Sequence, residues 1–441
     1  MAADPLAWLS SRQRFGVKLG LDAVGTLLAA LGHPERGLPV VLVAGTNGKG
    51  STAAMVAATL TAAGERTLLY SSPHVADLGE RIRLDGRPIG RASLRRRLAE
   101  IRAAVTHLGR ERRLGQQPTY FEVLTAAALL QARAGHATAG VFEIGLGGRF
   151  DATNVLPAQV AVITGIDRDH TEYLGNSLRR IAWNKAGIIK SEQDVYTLES
   201  RRALLRVFRA ECRSRGARFT SLPGDVAQRS GIGTWDLDLA GARPVAGHRL
   251  PARLGGVRLG LRGERQGAQA VLGVTAAIAL LARTGGRLPS TTALRRALAG
   301  VSLPGRCERR RLGHGRLLVV DVAHNPAAMT CLAHEVRDLA GDRPVTLLFG
   351  VLADKDAAAM MQPLAKLVDT VILTQPKNRR GMKVKALKEI LDLQATAFVD
   401  SRAGWRAALA ATPKGGILLV TGSFYLLGDL WADIRRRPLI R

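Results

Sequence analysis

The sequence predicts an α/β protein. An N-terminal, P-loop-type, doubly wound and mainly parallel sheet is followed by a smaller C-terminal Rossmann-like α/β domain. Three observations predict it. Short apolar runs alternate with longer helical patterns along the chain, the signature of a mainly parallel sheet with helices on both faces. A glycine-rich turn joins the first apolar run to a helix. The alternation pauses at Leu303-Pro-Gly-Arg306 and restarts beyond it, which divides residues 1–302 from 303–441.

In order, Pro39–Ala44 reads as a buried strand and Ser51–Ala63 as a helix stopped by Gly64. Thr67–Tyr70 is the next strand, Phe121–Ala132 a helix, Ala139–Ile144 and Val160–Thr164 further strands. Asp225–Gly260, rich in Gly and Pro, is either a set of hairpins or an irregular insert. A long Ala/Leu-rich helix runs from Gln269 to Ala282 and a shorter one from Thr292 to Leu298. Beyond the hinge, Leu317–Asp321, Val345–Phe349, Thr370–Leu373 and Gly416–Val420 are strand-like. No fixed-period repeat is present.

The 441 residues suffice for two or three domains, and an apolar fraction of 46% excludes a largely disordered chain. No run of eighteen apolar residues lacks a charge, so no membrane partner is expected. The N-terminus lacks a basic segment followed by an apolar run, so no signal peptide is expected. Three widely spaced cysteines, Cys212, Cys307 and Cys331, fit a reducing cytoplasm. Lys and Arg total 64 against 36 acids, a formal charge of +28. The surplus is nearly all Arg in an Ala-rich chain, read equally as a bias of composition or as a selected function, and aromatics are only 4%, so stacking platforms are few. No nucleic-acid partner is therefore expected. The runs Arg95–Arg97 and Arg309–Arg311 are read as solvated faces.

The turn after the first strand reads Gly45, Thr46, Asn47, Gly48, Lys49, Gly50, Ser51, Thr52. Glycines let consecutive backbone N–H groups converge on an anion, the helix N-terminus adds partial positive charge, and Lys49 adds a full one. A hydroxyl at Ser51 or Thr52 is within reach of phosphates or their metal. The spacing is not the standard Walker one, because Gly50 follows Lys49. Glu143 ends a strand just before Gly145–Gly148, where a carboxylate faces the ligand crevice of a doubly wound sheet.

This loop, with Val43 and Ala44 before it, resembles that of the folylpolyglutamate synthase/dihydrofolate synthase family of the Mur ligase superfamily. Other segments match in order over nearly the whole chain: Gly16–Leu21, Ser72–His74 with Glu80–Ile82, Thr119–Glu122, Glu143–Arg149, Asp151–Asn154, Asp169–Thr171, Lys185–Lys190, Pro304–Arg306, Asp321 with Ala323–Pro326, and Asp354–Asp356.

The resemblance implies an ATP- and magnesium-dependent ligase. A carboxylate attacks the γ-phosphate to give an acyl phosphate, and an amine then displaces phosphate. The acid would be dihydropteroate or the γ-carboxylate of a folate, the amine L-glutamate, and the chain a cytoplasmic monomer. Thr46, Asn47, Gly48, Lys49, Gly50, Ser51, Gln269, Arg306, Asp321 and His324 would hold ATP. Ser51, Ser72, Glu143, His170 and a carbamylated Lys185 would serve magnesium; Lys49, Lys185 and His170 would be catalytic. Carbamylation turns a cation into a metal-binding anion, whereas an unmodified Lys185 would oppose a dication or form a salt bridge. Tyr120, Phe121 and Asp151 would line a pterin pocket, although Phe121 reads equally as plain core. Arg306 lies in a hinge whose closure would exclude water from the acyl phosphate.

The chain departs from the family's pattern at four places. Asn184 and Arg179 stand where Glu is usual, Gln269 where Asn is usual, and Val322 where Gly is usual. Two other readings follow: a ligase of the same superfamily redirected to a non-folate acid or amine, and a non-catalytic nucleotide- or nucleic-acid-binding protein.

Overall fold

A computed structural model describes residues 4–16, 20–231, 233–245 and 247–440. Residues 17–19, within the Gly16–Leu21 match, lie outside the described set. The chain forms two compact units. The first comprises residues 1–73, 78–259 and 267–301, the second 74–77, 260–266 and 302–441.

The first unit is built on an eight-stranded sheet of β1 (Val40–Ala44), β2 (Thr67–Tyr70), β3 (Ile82–Leu84), β4 (Arg87–Pro88), β5 (Ala139–Glu143), β6 (Val160–Ile163), β7 (Asp194–Thr197) and β8 (Arg218–Ser221). Their spatial order is β4-β3-β2-β5-β1-β6-β7-β8. The six strands from β2 to β8 in that order are parallel, and β3 and β4 add an antiparallel edge. Every residue of β1, β2, β5, β6 and β7 is buried, as expected where helices cover both faces. The Asp225–Gly260 stretch is resolved as hairpins: β9 (Ala227–Gly231), β10 (Thr234–Asp238) and β11 (Arg253–Arg258) form a separate antiparallel sheet.

The helices along this unit are α1 (Pro5–Ser11), α2 (Asp22–Ala30), α3 (Lys49–Ala62), α4 (Arg91–Arg110), α5 (Tyr120–Ala134), α6 (Thr171–Leu174), α7 (Leu178–Ala186), α8 (Arg202–Arg215), α9 (Gln266–Thr284) and α10 (Thr291–Gly300). Among the described residues α9 is the one helix long and apolar enough to cross a membrane. Its most apolar 18-residue window is 78% buried, which makes it a core helix. Asp194, at the start of β7, is 1% exposed and receives three guanidinium groups, from Arg218, Arg243 and Arg283.

The second unit carries a six-stranded sheet of β12 (Glu308–Arg311), β13 (Leu317–Val320), β14 (Val345–Phe349), β15 (Thr370–Thr374), β16 (Thr396–Phe398) and β17 (Ile417–Thr421), in the order β12-β13-β17-β14-β15-β16. All neighbours are parallel except β12 with β13. Alternation splits its core in two. Leu317, Val319, Leu347 and Leu419 face Met329, Leu332 and Val336 of α11 (Pro326–Ala340). Leu318, Val320, Leu348 and Leu418 share the opposite core with Trp405 and Leu430. The remaining helices are α12 (Ala357–Met361), α13 (Val384–Leu391), α14 (Ser401–Ala411) and α15 (Phe424–Ile434). The fold class is the expected one.

One reading is corrected. Arg309–Arg311 is part of β12, where Arg311 is exposed as expected but Arg310 is only 9% exposed. Its guanidinium donates to Glu308 and to the carbonyl of Arg437, both at 2.6 Å, so partners replace the water that burial removes.

Candidate active site

The carboxyl ends of β2, β5, β1 and β6 lie side by side in the sheet, and Ser72, Glu143, the glycine-rich turn and His170 stand at or beyond them in that order. The turn after β1 is tightly fixed. Three consecutive carbonyls accept side-chain hydrogen bonds: Gly45 from Lys185 Nζ (2.7 Å), Thr46 from Lys49 Nζ (2.9 Å) and Asn47 from Thr164 Oγ1 (2.6 Å). A trans peptide points its N–H away from its C=O, so the N–H groups of Asn47 and Gly48 turn to the opposite side. Gly45 has φ +143°, and a Cβ there would strike Thr164. Gly48, at φ +82°, caps α3, which begins at Lys49, two residues earlier than the sequence suggests.

Ser51 is 1% exposed. Thr52 Oγ1 is buried with no hydrogen-bond partner. The Gln269 side chain lies against Gly48, where any Cβ would meet its amide. Gln269 is 8% exposed, and its Oε1 also has no partner.

Thr46, Lys49, Gly145, Asp169, His170 and Lys185 line one small cavity. Lys185 is buried, and its amine is pulled down to about 7, first by burial and then by the charge of Lys49. Asp169 and Asp151 partly oppose that shift. His170 adopts left-handed backbone geometry (φ 51°, ψ 40°) at the start of α6, and its N–H donates to Asp169 Oδ1. Asp169 was singled out by motif alone, with no role. Gly148 packs backbone-to-backbone on the end of α7, since a Cβ there would lie 2.9 Å from the carbonyls of Asn184 and Lys185. The Asn184 side chain turns back along its own helix, with Nδ2 3.4 Å from the Arg180 carbonyl. Arg179 is exposed and faces α8 rather than this cavity.

Glu143 is 3% exposed, and its Oε2 accepts the Ser72 N–H at 3.0 Å. Among the described residues no three His, Cys, Asp or Glu side chains converge as a metal cage. Magnesium keeps its waters and takes one or two protein oxygens beside substrate phosphates. A buried carboxylate and the unpartnered Thr52 hydroxyl fit such an ion.

At the end of β2, Tyr70 packs on Phe121 with ring centroids 5.6 Å apart. Phe121 is half-buried and lies on Gly145, where a Cβ would meet its ring. It is thus both core and wall. Arg81 stands 5.7 Å over the Tyr120 ring. Thr119 and Glu122 form a capping box for α5, which explains half of that motif structurally. The Asp151 oxygens accept from Leu146 N, Thr153 N and Thr153 Oγ1. Burial raises its carboxyl above the usual range. Arg81 was singled out by motif alone, with no role, and Tyr70 was missed by the sequence reading because it looked like ordinary strand core.

Arg306, Asp321 and His324 lie in the second unit, where Arg306 and His324 both stand 5.6 Å from the Phe424 ring. Asp321 accepts the N–H groups of Cys307 and Ala323, and burial raises its carboxyl despite Arg306. Val322 is fully buried and fits because residue 305 is glycine.

Comparison with known proteins gives the family. Residues 43–222 match the Mur ligase middle domain, and residues 305–424 the Mur ligase glutamate ligase domain. The dihydrofolate synthase/folylpolyglutamate synthase of Bacillus subtilis is 31% identical over 97% of both chains. That of Mycobacterium tuberculosis is 34% identical over 95% of this chain and 90% of the relative. The structure of Escherichia coli FolC in complex with DHPP and ADP superposes with a TM-score of 0.84 at 30% identity, covering 99% of each chain. A bifunctional folylpolyglutamate synthase/dihydrofolate synthase with Mn, AMPPNP and L-glutamate bound gives 0.81 at 29% identity, covering 98% of each. A redirected substrate is not favoured by these relatives. The chain belongs to the dihydrofolate synthase/folylpolyglutamate synthase family of the Mur ligase superfamily, and it is an ATP-dependent ligase.

Proposed function

We propose that this chain joins L-glutamate to dihydropteroate and to the γ-carboxylate of folates at the carboxyl edge of its first sheet, with Lys185 as a carbamate. The observation that carries the assignment is Lys185. Its buried amine, held on the Gly45 carbonyl and lowered to about 7, is substantially neutral at physiological pH. A neutral amine is the form that attacks carbon dioxide; the new N–C bond gives a carbamate and releases one proton. The product carries a negative charge beside Lys49 and His170, relieving the repulsion between two ammonium groups.

The phosphate loop with Lys49 binds and orients the triphosphate, and Gln269 offers its free amide oxygen to the adenine amine. Ser51, Thr52, Ser72 and Glu143 would hold one divalent cation, and His170 with the carbamate a second. Bound there, the ions neutralise charge on the phosphates. Tyr120 and Phe121, backed by the buried Tyr70, present a flat apolar wall to the pterin, and Asp151 fixes the loop on which that wall rests. In the second unit Arg306, Asp321 and His324 are assigned to the nucleotide. The free, widely spaced cysteines support a cytoplasmic enzyme.

The deciding assay is phosphate release from ATP with dihydropteroate, dihydrofolate or tetrahydrofolate, each with and without glutamate. Glutamate-dependent release and a product heavier by one glutamyl residue are expected. No turnover on all three acids, with turnover on an unrelated acid, would overturn the assignment.

A further inference from the structure

Helices α7 and α8 enclose a groove of about 520 Å³ on the far side of α7 from Lys185. It is large enough for a small organic ligand. Its floor is apolar, from Ala203, Val207 and Ala210, and its walls carry Arg179, Arg206 and Trp183. Trp183 is 45% exposed, unusual for an indole, and Arg149 stacks 4.2 Å from its ring. The lining acid, Glu211, is already neutralised by Arg149 at 3.0 Å and Arg215 at 3.8 Å. Arg179 and Arg206 have no acidic partner among the described residues.

The positive charge continues along α8. Arg202, Arg206, Arg209 and Arg213 recur at intervals of four, three and four, which places them on one exposed face. The stripe is about 16 Å long at the helical rise. An aromatic surface beside a linear row of guanidinium groups matches a ligand with a flat head and a chain of carboxylates. A compact triphosphate would use only one end of the row.

We propose that the α7–α8 groove is a second binding site, for the oligo-γ-glutamyl product, with the aromatic head at Trp183 and the successive α-carboxylates along the α8 arginines. The proposal rests on the glutamate-ligase reading, because that reaction makes such a chain. Each γ-glutamyl unit adds one carboxylate, so the site senses tail length.

The test is calorimetric titration of the full chain with pteroyl mono-, tri- and penta-γ-glutamate. Two sites per chain are expected, the second tightening about threefold per added glutamate, the scale of an exposed ion pair, and weakening with salt. Arg202→Ala with Arg206→Ala should abolish that length dependence, and Arg206→Lys should keep part of it. Trp183→Ala should weaken the second site about tenfold, the scale of ring stacking. All should leave the rate of glutamate addition unchanged. One site per chain, a second site indifferent to these variants, or a second site filled equally well by ATP or by an oligonucleotide would overturn the proposal. A wild-type chain that adds glutamate to no folate would sink the ligase reading instead, and the titration would still decide the groove.

Discussion

Lys185 Nζ and the carbonyl of Gly45 are 2.7 Å apart, so a buried amine is fastened to the residue that opens the phosphate loop. Because that amine is lowered to about 7, its neutral share grows as pH rises through 7. At constant carbon dioxide pressure, ligase activity should rise between pH 6 and 8 and fall in gas-stripped buffer. Lys185→Ala should be nearly inactive and partly restored by acetate. A flat pH profile, insensitive to carbon dioxide, would count against the carbamate. In gas-stripped buffer stability should also rise with pH from about 7 towards the ordinary 10.5, since only the unfolded lysine holds its proton in that window.

Lys49→Ala removes the one full charge of the loop and the bond to Thr46. Losing one preorganised donor to a reacting group costs about a hundredfold or more. Turnover at saturating ATP should fall by that order while the circular dichroism spectrum stays unchanged.

Thr119→Ala breaks the capping box of α5. The cost should be about 1 kcal/mol, read in the first unit's unfolding transition. The adjoining Tyr120 and Phe121 lose their fixed start, so KM for the pterin acid should rise more than kcat falls.

Asp194→Asn leaves three guanidinium groups around a neutral amide. Burial alone would raise this carboxyl, but hydrogen bonds from Arg218 and Arg283 and the charge of Arg243 together hold it below the ordinary 3.8. Its contribution is therefore complete above that value and is lost only as pH falls through the depressed one. The arginines are partly exposed, so the loss should be about 2–3 kcal/mol, less than for a fully buried pair. Thermal unfolding at pH 7 should show the drop, and the gap between variant and wild type should narrow as pH falls below 3.8.

Much of this was legible because it is local. The strand runs and the glycine-rich turn after β1 are each written in a few consecutive residues, whereas α3 starts two residues before the expected Ser51 and the Thr119–Glu122 cap was read only as a motif. What the sequence could not give was partnership over distance. Arg310 reads as surface until Glu308 and the Arg437 carbonyl are seen around it. Tyr70 reads as core until Phe121 and Gly145 are placed beside it. Arg179 reads as a change near the cavity until α8 is found opposite its face of α7. Strands β7 and β8 escaped notice because Asp194 and Arg218 open them with charge, and only their pairing neutralises it.

Helix α9 holds 19 residues with a single charged side chain, Arg283, near its end. Inside the native protein that composition is harmless. On the ribosome it is not: a nascent chain displays this segment before later residues exist to cover it. Bare, it has the length and greasiness that insertion machinery selects. The chain thus runs a race between docking α9 on α3 and losing it to a bilayer or an aggregate. Removing Arg283 would cost the helix its one charge and its bond to Asp194, whereas a variant that slows the docking of α9 would tilt the race towards loss.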